Sequence, residues 1–453
     1  MHRPHDEQPI AALASGSGPG AVGVIRLSGT GCFNIIKHCF DDHLPLPQAR
    51  RASLRSFKDP ITKEVLDELV TVFFKGPHSF TGQDTVELFC HGGPYIIQRI
   101  LQALYASGTR PALPGEFSKR ALLNGKLDVT AAEGIKDLVE AQSRQQWLSG
   151  RQLYTGKLKD EIDTLRREII GAMAYLEAMI DFPDEGDTQS VRLDDVRRRV
   201  ADVSKKIQAL ASTFNSGKVA SQGLMVAIAG APNAGKSTLL NTLLGKHRAI
   251  VSEIAGTTRD YLEESCLLDG RLVRLVDTAG FRSTDDAIER EGVQLSAQII
   301  HEADVVISLK ASNSSQAERE ALDDILSACH KPMIEVMTKA DLGSPAWASN
   351  LIQISCNSGG GLSALRLRLI HLVDSCTTSL SDKPFLTSMR QFTALEAAQN
   401  ALSRFHDQDR ALAGHEMLAF ELLETSRALS SVIGDVSSED LLDKIFSEFC
   451  IGK

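Results

Sequence analysis

The chain has 453 residues, 43% of them hydrophobic and 24% charged, with a net charge of −9. That length suggests about three domains, the balance excludes wholesale disorder, and the acidity argues against a stand-alone nucleic-acid binder. No apolar run is long enough to span a membrane, and Met1-His2-Arg3-Pro4-His5-Asp6-Glu7 lacks a signal-peptide core, so a cytoplasmic chain with reduced thiols is expected.

Residues 1–114 hold ten of the fifteen prolines. Their turn-rich texture, with strands predicted at Ala21–Leu27 and Leu69–Phe74 and a helix at Ile96–Leu104, reads as an α+β domain over 1–120. From 121 to 216 the pattern is helical. Leu158, Ile162, Leu165, Ile169, Met173, Leu176 and Ile180 form one apolar stripe, Asp181–Asp187 breaks it, and a second tract runs from about Val191 to Phe214. Asn215-Ser216-Gly217 opens a different rhythm over 217–376. Strands are predicted at Leu224–Ala229, Leu272–Val276, Val305–Leu309 and Met333–Met337, with a helix at Ser237–Leu244, which implies a parallel sheet covered on both faces. Residues 377–453 return to helix and read as the second half of a bundle into which the α/β unit is inserted.

Gly230-Ala231-Pro232-Asn233-Ala234-Gly235-Lys236-Ser237 follows a predicted strand and opens a helix, as a phosphate-binding loop requires. Backbone N–H groups from Asn233 through Thr238 would wrap phosphate oxygens. Lys236 would reach the β- and γ-phosphates, and the Ser237 hydroxyl would ligate Mg²⁺. Ser252-Glu253-Ile254-Ala255-Gly256-Thr257-Thr258 contains a switch loop in which Thr258 is placed for Mg²⁺. Asp277-Thr278-Ala279-Gly280 ends a strand, where a carboxylate reaches the magnesium shell. Thr338-Lys339-Ala340-Asp341 follows another strand, and Asp341 would accept from the N1–H and exocyclic amine of guanine. Ser355-Cys356 would complete the base end. These motifs predict a Ras-like α/β P-loop GTPase domain. Threonine replaces the usual asparagine at 338, and Phe281 stands where many regulatory GTPases place a water-orienting glutamine.

Further motifs sit outside that domain: Gly23-Val24-Ile25-Arg26-Leu27-Ser28-Gly29, Ser79-Phe80-Thr81-Gly82, Cys90-His91-Gly92-Gly93-Pro94, Arg110-Pro111-Ala112-Leu113-Pro114-Gly115-Glu116-Phe117, Asp181-Phe182-Pro183-Asp184-Glu185 and the terminal Cys450-Ile451-Gly452-Lys453. With the inserted GTPase domain they make the whole chain resemble the MnmE (TrmE) family of tRNA-modification GTPases. The resemblance implies an N-terminal domain that dimerises and binds a tetrahydrofolate derivative, with Arg26, Glu87, Lys126 and Lys453 at the matching positions. It implies a partner, MnmG (GidA), carrying FAD and using NADH. Together the two would add an aminomethyl or carboxymethylaminomethyl group to C5 of the wobble uridine of certain tRNAs, using a folate one-carbon unit. It also implies K⁺-dependent hydrolysis with GTPase domains pairing across their nucleotide faces: Asn233, Ser252, Ile254 and Thr257 match the K⁺ ligands, and Glu289 matches a glutamate that helps place the water. Glu289, Lys236 and Asn233 are therefore the expected catalytic set. Cys450 reads either as a small buried hydrophobe or as a functional thiol. The other class of function considered is a ribosome-assembly GTPase of the Era or EngA type. Such proteins carry a basic RNA module after the GTPase domain, whereas residues 385–453 here hold 6 Lys/Arg and 11 Asp/Glu.

Overall fold

The computed structural model describes residues 8–16, 18–40, 47–181, 189–245, 263–277, 298–327, 329–378, 380, 383–407, 414–434 and 439–452. The chain divides into two compact units, Met1–Lys136 with Ile433–Lys453, and Asp137–Val432. This division differs from the expected one at both ends: the first unit runs past residue 120, and it takes the last part of the 377–453 tract.

In the first unit six strands form one sheet: β1 (Ile10–Leu13), β2 (Val22–Ser28), β3 (Ser53–Lys58), β4 (Val65–Phe74), β5 (Thr85–His91) and β6 (Arg110–Pro111), in the order β3-β4-β5-β2-β1-β6. Only β1 and β6 pair in parallel. Alternation sends Ile25, Leu27, Phe57, Leu69, Phe73, Val86 and Leu88 to one face, where the helix Pro94–Ala106 buries Ile97, Ile100 and Leu104 on them. The other face carries Leu54, Val70, Phe89 and Val24 in one cross-strand row. The segment 85–91, ahead of the Gly92-Gly93-Pro94 turn, is a central strand in which Val86, Leu88 and Cys90 are buried.

The helices Glu116–Leu123 and Val129–Glu140 continue this unit. The C-terminal helix Glu439–Ser447 belongs with them, because Leu442, Phe446 and Phe449 bury against Val129 and Ala132. Gly115, at φ 63°, is what lets the loop come so close, since a Cβ there would lie 2.7 Å from the Phe446 carbonyl oxygen.

The second unit contains the helices Arg144–Tyr154, Lys157–Asp181, Gln189–Ala211, Phe214–Gln222, Met389–Asp407 and His415–Ile433, and an α/β part between them. On Lys157–Asp181 the buried residues are Leu158, Ile162, Leu165, Ile169, Ala172, Leu176 and Met179. Met173 and Ile180 of the expected stripe are only partly buried. The buried set advances by alternating fours and threes, about 3.5 residues per turn, the seam of helices that coil around a neighbour. Residues 215–217 do not interrupt the helices. They lie inside Phe214–Gln222, and a Cβ on Gly217 would sit 1.9 Å from the Leu386 carbonyl oxygen, so this glycine serves close packing.

The α/β sheet comprises β7 (Leu224–Gly230), β8 (Glu263–Leu268), β9 (Arg271–Asp277), β10 (Val305–Ala311), β11 (Met333–Thr338) and β12 (Ile352–Gln353), in the order β12-β11-β10-β7-β9-β8. All pairings are parallel except β8 with β9, an antiparallel edge the sequence reading had not placed. Leu239, Leu243, Leu365 and Leu369 cover one face, and Ile299, Ile300 and Leu326 the other. Among the described residues no helix is long and apolar enough to cross a membrane.

Candidate functional site

The phosphate loop leaves the fully buried strand β7 and enters the helix Lys236–Leu244. Gly230 must be glycine, because a Cβ would stand 2.7 Å from the Leu309 carbonyl oxygen. Asn233 (φ 61°) and Gly235 (φ 94°) take left-handed backbone, which turns successive N–H groups inward around the loop. The Lys236 ammonium is nearly buried and donates to the Gly230 and Ala231 carbonyls at 2.7 and 3.0 Å. The Ser237 hydroxyl donates to Asp277 Oδ2 at 2.9 Å. Parallel register sets Asp277 beside Ile228, two residues before the loop, and this brings the carboxylate to the start of the helix. A hydroxyl and a buried carboxylate at that place form an oxygen donor set suited to a hard divalent cation.

The segments expected to form the base end are β11 and the stretch after β12. Thr338 is buried, and its hydroxyl donates to the Ala234 carbonyl at 2.6 Å. Lys339 takes a left-handed turn at φ 56° and leads into the 3₁₀ turn Ala340–Leu342. The Ser355 hydroxyl donates to Asp341 Oδ1 at 2.7 Å, and the Ala340 N–H donates to the Ile354 carbonyl at 3.1 Å. The Ser355 hydroxyl first, and then Asp341's own backbone N–H, hold the Asp341 carboxyl below its usual range. Burial pushes the Cys356 thiol up. A cavity of about 210 Å³ borders the same loops, lined by Asn233, Ala234, Asn313, Arg319 and Lys339 among others. Ser237 and Thr238 are exposed in the first turn of their helix. Ser252, Glu253, Ile254, Ala255, Gly256, Thr257, Thr258, Thr278, Ala279, Gly280 and Glu289 lie outside the described residues, as does Lys453.

A second site lies in the first unit. Antiparallel register aligns Arg26 on β2 with Glu87 on β5, and Glu87 with Val72 on β4. Arg26 Nε donates to Glu87 Oε1 at 2.9 Å, its terminal nitrogen lies 2.8 Å from the same oxygen, and the pair is largely buried. The guanidinium also faces the rings of Phe80 and Phe117 at 5.4 and 5.7 Å and donates to the Gly452 carbonyl at 3.5 Å. Gly452, at φ 94°, admits this contact, since a Cβ there would lie 2.1 Å from the Leu13 carbonyl oxygen. The Cys450 carbonyl accepts from the Gly115 N–H at 3.4 Å. Phe80 also lines an open cleft of about 560 Å³ together with Lys126, Arg50, Val72, Phe74, His78 and Ser79. Arg26 thus contacts both Glu87 and the Gly452 carbonyl, and Lys126 lines the cleft that Phe80 borders. Arg50, Phe74 and His78 were missed by the sequence reading. No motif marks them, and they meet only because Arg50 precedes the sheet edge next to β4.

Comparison with known proteins matches residues 9–126 to the family described as GTP-binding protein TrmE N-terminus and residues 129–450 to the MnmE helical domain. The chain is 37% identical over 99% of both chains to the tRNA modification GTPase MnmE of Geotalea uraniireducens. It is 38% identical to that of Aquifex aeolicus, over 98% of this chain and 100% of the relative. Among solved structures, Aquifex aeolicus Era bound to GDP and aluminium fluoride aligns with 41% of this chain and 68% of its own, at 25% identity and a TM-score of 0.26, which adds nothing to that match.

Proposed function

Because this chain belongs to the MnmE (TrmE) family of tRNA-modification GTPases, and so is a GTP hydrolase that works in tRNA modification, we propose that it acts with an MnmG (GidA) partner on the wobble uridine of certain tRNAs. The product would carry an aminomethyl or carboxymethylaminomethyl group at C5, and FAD and NADH would be held by the partner. The observation that carries the nucleotide half is the joining of phosphate loop and base reader by the Thr338–Ala234 hydrogen bond. GTP phosphates enter the ring of N–H groups at 233–237. Lys236 exchanges the Gly230 and Ala231 carbonyls for phosphate oxygens, and Asp341, kept ionised by Ser355, takes two hydrogen bonds from guanine.

The donor set supports Mg²⁺: Ser237, with Thr258, would hold it, and it would supply positive charge to the phosphate oxygens. Asn233, Ser252, Ile254 and Thr257 would hold K⁺, which supplies positive charge where negative charge grows during cleavage. Glu289 would place the attacking water. Arg26, Glu87, Lys126 and Lys453 would hold a tetrahydrofolate derivative, whose chemistry is to supply a one-carbon unit. The aromatic walls of the N-terminal cleft, with the largely buried Arg26–Glu87 pair next to Phe80, suit a flat heterocycle with hydrogen-bonding edges. The cross-strand row of exposed Leu54 and Val70 with partly buried Phe89 and Val24 supports pairing of two N-terminal units into a homodimer. GTP hydrolysis would serve as a conformational clock for the modifying complex.

The test is mass spectrometry of wobble uridines in tRNA from cells lacking this protein. The C5 modification should be lost, and unchanged tRNA would refute the reading. A second arm compares hydrolysis in K⁺ and Na⁺: K⁺ should be much faster, and Asn233→Ala should abolish the difference.

A further inference from the structure

The N-terminal cleft carries two polar side chains that the assignments above leave unused, the Arg50 guanidinium and the His78 imidazole. They line it with Lys126 beside Val72, Phe74 and Phe80, and none of its lining residues is a carboxylate. Among the described residues none of those three basic side chains makes an ion pair, in a chain whose net charge is −9. Arg50 is held in place. Its backbone N–H donates to the Phe73 carbonyl at 2.7 Å, and its guanidinium donates to the His78 carbonyl at 3.1 Å. Its φ of 63° is left-handed, a conformation that costs a non-glycine residue about 1 kcal/mol or more and that concentrates at ligand clamps.

The register orders the cleft along its length. Val72 lies across from Glu87, so one end abuts the Arg26–Glu87 pair, while Arg50 and His78 stand near the C-terminal end of β4, Arg50 in the segment just before β3 and His78 in the loop after Phe74. The volume is that of a drug-sized ligand, with aromatic walls between a hydrogen-bonding end and a cationic end. We propose that Arg50 and His78 bind the carboxylates of a γ-linked glutamyl tail, so that the cleft selects polyglutamylated over monoglutamylated tetrahydrofolate. This rests on the folate reading of the Arg26–Glu87 site. Arginine suits the role because its planar fork meets a carboxylate with two parallel hydrogen bonds.

The experiment is calorimetric titration of the full-length protein with tetrahydrofolate monoglutamate and pentaglutamate. The pentaglutamate should bind about tenfold more tightly, the gain expected from one or two partly exposed charge-assisted contacts. Arg50→Ala and His78→Ala should each bring the two ligands to within about threefold while moving monoglutamate affinity less than about twofold. Retained monoglutamate affinity would show that both variants keep the fold of the first unit. Equal affinities in the unsubstituted protein, or a preference that survives both substitutions, would overturn the proposal and leave the folate site standing. Binding of neither ligand would refute the folate reading itself. Weakened tRNA binding by Arg50→Ala with the tail preference intact would assign the cleft to RNA phosphate and also overturn it.

Discussion

At Thr338 a single hydroxyl ties the proposed base reader to the phosphate loop, across 104 residues of sequence. Both of its ends are buried, so removing the donor strands the Ala234 carbonyl, at a cost of about 1–3 kcal/mol. Thr338→Val should therefore weaken GDP affinity about ten- to hundredfold in a fluorescent-nucleotide titration, and Thr338→Ser should restore most of it. Asp341 predicts a pH dependence. Its pKa is depressed by the Ser355 hydroxyl and by its own N–H, so it stays ionised as pH falls through the usual carboxylate range and protonates only below it. Guanine affinity should hold to that lower pH and then fall, and Ser355→Ala should move the fall upward. The phosphate-loop motif and the proposed guanine reader Asp341 are visible in the sequence because such sites call for fixed residue types at fixed spacing. The Thr338–Ala234 bond was not legible, because it depends on where two strands end in space.

At the scale of elements, the sequence shows a helix through its period but not through its glycines. Gly171 and Gly217 both lie inside helices. Around Gly171 a Cβ would meet nothing within 4 Å, whereas at Gly217 it would strike the Leu386 carbonyl oxygen at 1.9 Å. The two alanine substitutions should then act in opposite directions. Gly171→Ala should raise stability by about 0.5–1 kcal/mol through helix propensity. Gly217→Ala must shift backbone against backbone and should cost about 2 kcal/mol or more. Urea unfolding curves of the two variants decide the matter, and a loss of stability at both sites would contradict it. The same local blindness explains Lys157–Asp181. Its apolar stripe was readable to Ile169, but which residues of the last turns face inward depends on how the neighbouring helix coils around it, and packing settled on Ala172 and Met179 over Met173 and Ile180.

At the scale of the whole chain, the first compact unit is built from both ends of the sequence. Helical periodicity alone groups the C-terminal segment with the bundle, because a helix reads alike whatever it packs on. What fixes its place is long-range: Leu442, Phe446 and Phe449 on Val129 and Ala132, the closely packed Gly115, and Gly452 against Leu13. Two ion pairs, Lys136–Glu448 and Lys119–Asp443, lie at the rim, where exposed pairs contribute little. The apolar contacts should therefore dominate, since fully burying one such side chain stabilises by about 1.5–3 kcal/mol. A fragment of residues 1–136 should then fold with a lowered melting temperature. A synthetic peptide of residues 433–453 added in trans should raise that temperature in a concentration-dependent way, because a ligand of the native state alone stabilises by mass action. Phe446→Ala in the peptide should abolish the rise, whereas Lys444→Ala should leave it. A melting temperature indifferent to the peptide would mean that the N-terminal sheet and its helices hold together without the chain's other end.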